Sequence, residues 1–171
     1  MKRDVPDLLL LIFLLIMPIT DCFEFCDYDI TIGFPIDMKP GKASCHDDME
    51  IMVQQEIYPI NISKDLFEIE VSDDKDYVGY ERDSMIIAIK GAQADPETSS
   101  IRDNYKIGNY MGYYGMGTYP SSPKKVYVVQ FKLPPEFNPN EGKLVTVKSY
   151  LNESKSNELF RTFFILPKVF Q

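Results

Sequence analysis

Residues 67 to 72 read Phe-Glu-Ile-Glu-Val-Ser. Apolar Phe67, Ile69 and Val71 alternate with polar Glu68, Glu70 and Ser72, a period of two that sends greasy groups to one face of an extended chain and carboxylates to the other. A strand marked this way must bury one face and leave the other wet, so the chain has to build a sheet with an inside. Similar short segments, rich in β-branched and aromatic residues and bounded by Gly, Pro, Asn or Asp, recur at 49–57, 85–90, 126–133, 144–151 and 159–166. With 23–30 they make about seven. No stretch carries a sustained helical period with caps, apart from a turn near 63–66. The pattern predicts an all-β antiparallel sandwich. Segments 85–89 and 160–166 are apolar on both parities, so either the outer face is covered or the inner space is large enough to form an apolar cavity between sheets.

The N-terminus reads as an address. Lys2 and Arg3 precede an apolar run from Leu8 to Met17, too short to cross a bilayer, followed by Pro18 and Thr20. This predicts a signal peptide over 1–22 and a single domain over 23–171 in a secreted, extracellular compartment or a lumenal, endolysosomal one. Of the 3 cysteines, cleavage after Thr20 would keep Cys22, whereas cleavage after Cys22 leaves Cys26 and Cys45. An even count in an oxidising compartment favours a Cys26 to Cys45 disulfide, with Cys22 to Cys45 the other pairing. Sequons at Asn61-Ile62-Ser63 and Asn152-Glu153-Ser154 predict glycosylation in polar stretches. The net charge is −8 for the whole chain, and losing Lys2, Arg3, Asp4, Asp7 and Asp21 with the leader makes it −7. So acidic a chain is a poor match for nucleic acid or for electrostatic adhesion to anionic membranes.

Catalysis has little to stand on. The single His46 sits beside Cys45, Asp47 and Asp48 in a solvated turn, without the further ligands or partners that a metal site or nucleophile needs. Asp73, Asp74 and Asp76 lack the spacing and closing glutamate of a calcium loop. The reading is therefore a non-enzyme with no cofactor and no metal. Gly91 to Pro123 breaks the strand rhythm: a polar start, then "NYMGYYGMGTYP", too aromatic for a disordered linker. The tyrosines either plug one end of the sandwich or, as Tyr105, Tyr110, Met111, Tyr113, Tyr114, Met116 and Tyr119, line the mouth of a cavity that Gly108, Gly112, Gly115 and Gly117 allow to open.

The opening "FEFCD" and the later "GTYPSSPKKVYVVQFKLPPEFNPNEGKLVTVKSYLNESKSNELFRTFFIL" together resemble the ML (lipid-recognition) domain family, which includes the ganglioside activator protein and the mite group 2 allergens. The likeness is clearest over 115–166 and at Cys26-Asp27. It implies an immunoglobulin-like sandwich whose sheets splay to hold a lipid or sterol, with the tyrosine segment at the entrance and no enzymatic activity. One departure stands out: where the family bonds a first-strand cysteine to one on the last strand, this chain has Arg161 or Thr162. The inward parities supply the slot wall: Phe67, Ile69, Val71, Ile87, Ile89, Val129, Phe131, Leu133, Val145, Val147, Phe160 and Phe164.

Two functions of different class follow. The first is a secreted lipid-binding protein that transfers or presents a lipid or sterol, with a membrane surface or a receptor protein as further partner and no nucleic acid. A buried methylene contributes about 0.8 kcal/mol, so a dozen carbons supply a useful affinity. The second is a glycosylated sandwich acting through protein–protein contact as an adhesion, receptor-accessory or signalling module, with the tyrosines at its interface.

Overall fold

The computed structural model describes residues 21–25, 28–33, 38–45, 49–57, 63–73, 81–133 and 143–167. The leader 1–20, Cys26, His46, Asn61 and the acidic residues Asp74 and Asp76 lie outside them. The chain runs β1 (Asp21–Phe25), β2 (Tyr28–Ile32), β3 (Met38–Cys45), β4 (Met49–Ile57) and β5 (Ser63–Asp73). Helix α1 (Glu81–Gly91) follows, then β6 (Asp95–Pro96), a 3-10 turn (Thr98–Ser100), β7 (Arg102–Ile107), β8 (Tyr110–Thr118) and β9 (Lys125–Lys132). It ends with β10 (Lys143–Ser149), helix α2 (Glu153–Thr162) and β11 (Phe164–Pro167).

The protein is mostly β, built as two antiparallel sheets. The larger runs β3-β4-β5-β10-β9-β8-β6, with β7 paired to β8, and the smaller runs β1-β2-β11. Register explains the alternation at 67–72. Val71, Val145 and Phe131 stand abreast across β5, β10 and β9, and so do Ile69, Val147 and Val129. One strand over on the same face is Tyr114, paired with Val129. The smaller sheet and α2 cover this face: Ile30, Ile32, Ile165, Leu159, Phe160 and Phe163 join its apolar rows in one buried cluster.

The opposite face carries Glu70, Thr146 and Gln130 abreast, and Glu68, Lys148 and Val128 beside them. Over part of it lies α1, in a second buried cluster of Met85, Ile89, Ala94, Val126 and Val128. Both faces of β9 are thus covered, which is why its residues from Val126 to Phe131 are all buried.

Two segments expected as strands differ. Residues 85–90 are helical, because Met85 and Ile89 lie four apart and share the face that meets the sheet while Ile87 points to solvent. An apolar run this short cannot be told from a strand by periodicity alone. Residues 159–166 are the end of α2 and the start of β11. Here Asn152 caps the helix, its side-chain oxygen accepting from the Lys155 N–H at 3.0 Å. Ser156, Leu159 and Phe160 then fall on one buried stripe. The tyrosine-rich stretch is a hairpin rather than a loop: β7 and β8 pair from Ile107↔Tyr110 outward, and the two-residue turn places Gly108 at φ 55°. A Cβ there would run into the Phe163 carbonyl, so glycine is required on both counts.

Candidate functional site

Most of the expected slot wall does come together. Phe67, Ile69, Val71, Val129, Phe131, Leu133, Val147, Tyr110, Tyr114 and Phe160 all belong to the inner cluster, and Met116 and Phe164 pack against its margin. At several of these positions the packing is tight. Phe67, Ile69, Val129, Val147, Phe160 and Phe163 have 0% of their surface accessible, a value that leaves no room for a water-sized void against them, still less an alkyl tail. Ile87, Ile89 and Tyr113 belong elsewhere. Ile89 and Tyr113 pack in the outer cluster under α1, and Ile87 stands exposed on that helix.

The tyrosines of the β7–β8 hairpin are held individually. The Tyr110 ring stacks on Phe131 at 4.4 Å between centroids, and its hydroxyl donates to the Ile165 carbonyl at 2.6 Å. Tyr114 lies 4.8 Å from Tyr105 and meets Phe160 edge-on, with the Arg102 guanidinium 4.8 Å over its ring. Burial raises the Tyr114 hydroxyl to about 12, with Arg102 pulling the other way. Burial raises Tyr110 and Tyr105 as well. The Tyr105 hydroxyl donates to Asn157 Oδ1 at 3.2 Å, tying the hairpin to α2. Beside that bond an open cleft of about 580 Å³ runs between Tyr105, Lys106, Asn157, Glu158 and Arg161. A second, of about 540 Å³, lies past the end of α1 among Tyr119, Ser122, Lys124, Lys125 and Tyr150.

The glycines of β8 have a structural use. Gly115 and Gly117 form the floor on which α1 rests: a Cβ at Gly115 would stand 2.8 Å from Met85 Cγ, and one at Gly117 would meet Ile89 Cγ2 and stand 3.0 Å from the Asp95 carbonyl oxygen. Their absent side chains seat a helix; they do not loosen a loop.

Beside α1, on the face left by the helix, the sheet is polar and largely dry. Lys148 bridges Glu68 and Glu70, with its ammonium 3.2 Å from Glu70 Oε2. Burial alone would lower its pKa, but the two carboxylates outweigh this and the net shift is upward. Ser84 of α1 donates to Gln130 Oε1 at 3.2 Å, and Gln130 donates to Thr146 Oγ1 at 3.0 Å. A narrow cleft of about 130 Å³ opens among these groups. The sequence reading passed over this row. The available signal was Lys148, a lysine within a strand, at the parity that faces the two glutamates of the alternating segment.

Among the described residues two large apolar side chains stand out on the outer side, Ile87 at 57% and Met111 at 58% exposure. Asn152 is exposed at the head of α2. Cys45 lies in β3, while its expected partner Cys26 lies outside the described residues. Asp21 and Cys22 pair in β1 with Ile32 and Thr31, so cleavage after Cys22 would remove the first two rungs of that ladder. No group of three or more His, Cys, Asp or Glu that could hold a metal ion occurs among the described residues. Comparison with family models, with curated proteins and with solved structures finds no match to this chain.

Proposed function

We propose that this chain is an exported β-sandwich module that acts by contact with another protein, through the side of the sheet that carries α1. The observation that carries the reading is the distribution of apolar surface. The inner residues Phe67, Ile69, Val129, Val147 and Phe160 are fully buried, and among the described residues the exposed large apolar groups are Ile87 and Met111, on the outer side. The leader-like N-terminus and the sequons support export. The acidic charge of −8 favours a partner with a neutral or basic face. Isolation from the native source followed by cross-linking mass spectrometry tests the idea. Cross-links to a partner should map to α1 and β8 and vanish in the Ile87→Glu, Met111→Glu double variant, which touches no buried residue. Stoichiometric lipid in an organic extract, with no partner cross-linked, would overturn it.

A second reading, the lipid carrier implied by the resemblance to the ML family, is favoured by one local arrangement. The cleft of about 580 Å³ at Tyr105 abuts the aromatic cluster of Tyr114 and Phe160, separated from it by Tyr105 and its bond to Asn157. A lipid or sterol would enter by parting the hairpin from α2 there. Tyr105→Phe should then speed the uptake of a fluorescent fatty acid, whereas a contact module would take up none in either form.

A further inference from the structure

The narrow cleft beside α1 contains more hydrogen-bonding capacity than the fold uses. Ser72 is only 8% exposed, lines the cleft, and its hydroxyl has no partner among the described residues. Thr146 accepts from Gln130, leaving its own proton unspent. Gln130 uses one of its two amide protons, and Lys148 uses two of three. On the accepting side, Glu70 keeps an oxygen that Lys148 does not engage, and the Ser84 oxygen is free to accept. Buried polar groups are nearly always satisfied, so a part-enclosed cleft with this many open valences is equipped to engage the hydroxyls of a further molecule.

We propose that this cleft is a subsite for a neutral hexose, the terminal sugar of a glycan. The charge balance selects against ions: an anion would meet Glu70, and a cation would meet the Lys148 ammonium. Donors and acceptors both line the wall, which matches sugar hydroxyls, since each both donates and accepts. The apolar remainder, Leu144, Ala88 and the exposed Ile87, suits the C–H face of a pyranose ring. A volume of about 130 Å³ takes one ring edge with the rest of the glycan outside. The inference rests on the contact reading and deepens it, because it gives the partner's chemistry as that of a glycoprotein.

Ser72→Ala is the discriminating variant, because the Ser72 hydroxyl makes no hydrogen bond among the described residues while its backbone pairing is retained. Saturation-transfer NMR on the full chain, with the methyl α-glycosides of mannose, galactose and glucose and with glycerol as control, reads the result. At least one glycoside should receive saturation, and Ser72→Ala should bind it tenfold or more weakly while melting at the same temperature or higher. Silence from all three glycosides, equal binding by the variant, or glycerol competing as well as any sugar would overturn the assignment. If the partner's capture through Ile87 and Met111 survives its enzymatic deglycosylation, the contact reading stands and the sugar site falls.

Discussion

Gly117 offers the sharpest test of how α1 is seated. Its backbone lies outside the left-handed region, so alanine is free to adopt it, and on an uncovered strand the exchange would add roughly 0.5–1 kcal/mol of stability by restraining the unfolded chain. Under α1 the sign reverses. The new methyl would collide with Ile89 Cγ2 and stand 3.0 Å from the Asp95 carbonyl and 3.1 Å from Ala94 Cβ. Two of those three neighbours, the Asp95 carbonyl of β6 and the Cβ of Ala94 just before it, are fixed by the backbone and cannot rotate away. Overpacking of this kind costs about 1–3 kcal/mol. For a chain of 171 residues that is a fall in Tm of roughly 2–12 °C, at 2–4 °C per kcal/mol. Thermal melts of Gly117→Ala, Ile89→Ala and the double variant give the complete cycle. Ile89→Ala alone should be the more harmful single change, at about 2–5 kcal/mol, and the double variant should lose at least about 1 kcal/mol less than the sum, because the methyl moves into the space that Ile89 vacates. A neutral or stabilising Gly117→Ala, or strict additivity, would refute the packing of α1 against this strand.

Three other outcomes follow from the same geometry. Because the folded Tyr114 hydroxyl titrates near 12 rather than 10, stability should be intact below pH 10 and fall by roughly 2–3 kcal/mol as pH rises through 12; denaturant titrations at pH 9 and 12 should show Tyr114→Phe removing that part of the slope, and an unchanged slope would count against the burial. Lys148→Met should cost about 1–3 kcal/mol in urea unfolding at pH 7, since it leaves Glu68 and Glu70 facing each other beside a mostly dry wall, with the figure discounted for their partial exposure. Asn152→Ala should lose about 1 kcal/mol through the helix cap while Asn152→Asp keeps it; both remove the sequon, so a glycan at this site would show as the same loss of mass in each.

Several strands were readable, one from alternation and the others from β-branched and aromatic content between turn residues. Residues 49–57 form β4 with the same bounds, and 67–72, 126–133 and 144–151 fall in β5, β9 and β10 to within a few residues. What could not be read were the places where long-range packing chose the conformation. The run at 85–90 is apolar at almost every position and fits either period; the glycine floor of β8, some thirty residues later, makes it a helix. The stretch at 152–162 carried its signal in a cap and a stripe, Asn152 then Ser156, Leu159 and Phe160, that the sequon drew attention away from. The turn Ile107-Gly108-Asn109-Tyr110 was a legible hairpin signal, obscured by the density of tyrosine around it. How tightly an inner face is packed is invisible in principle, since a strand lining a cavity and one lining a core spell the same residues.

The smaller sheet joins the two ends of the polypeptide: Ile165 of β11 lies against Ile30 of β2. Ile30 and Ile32 of β2 and Ile165 of β11 are buried in one cluster, so during synthesis the cover over the inner apolar rows is incomplete until β11 has been made. Closing so distant a pair carries a large loop entropy and slows folding.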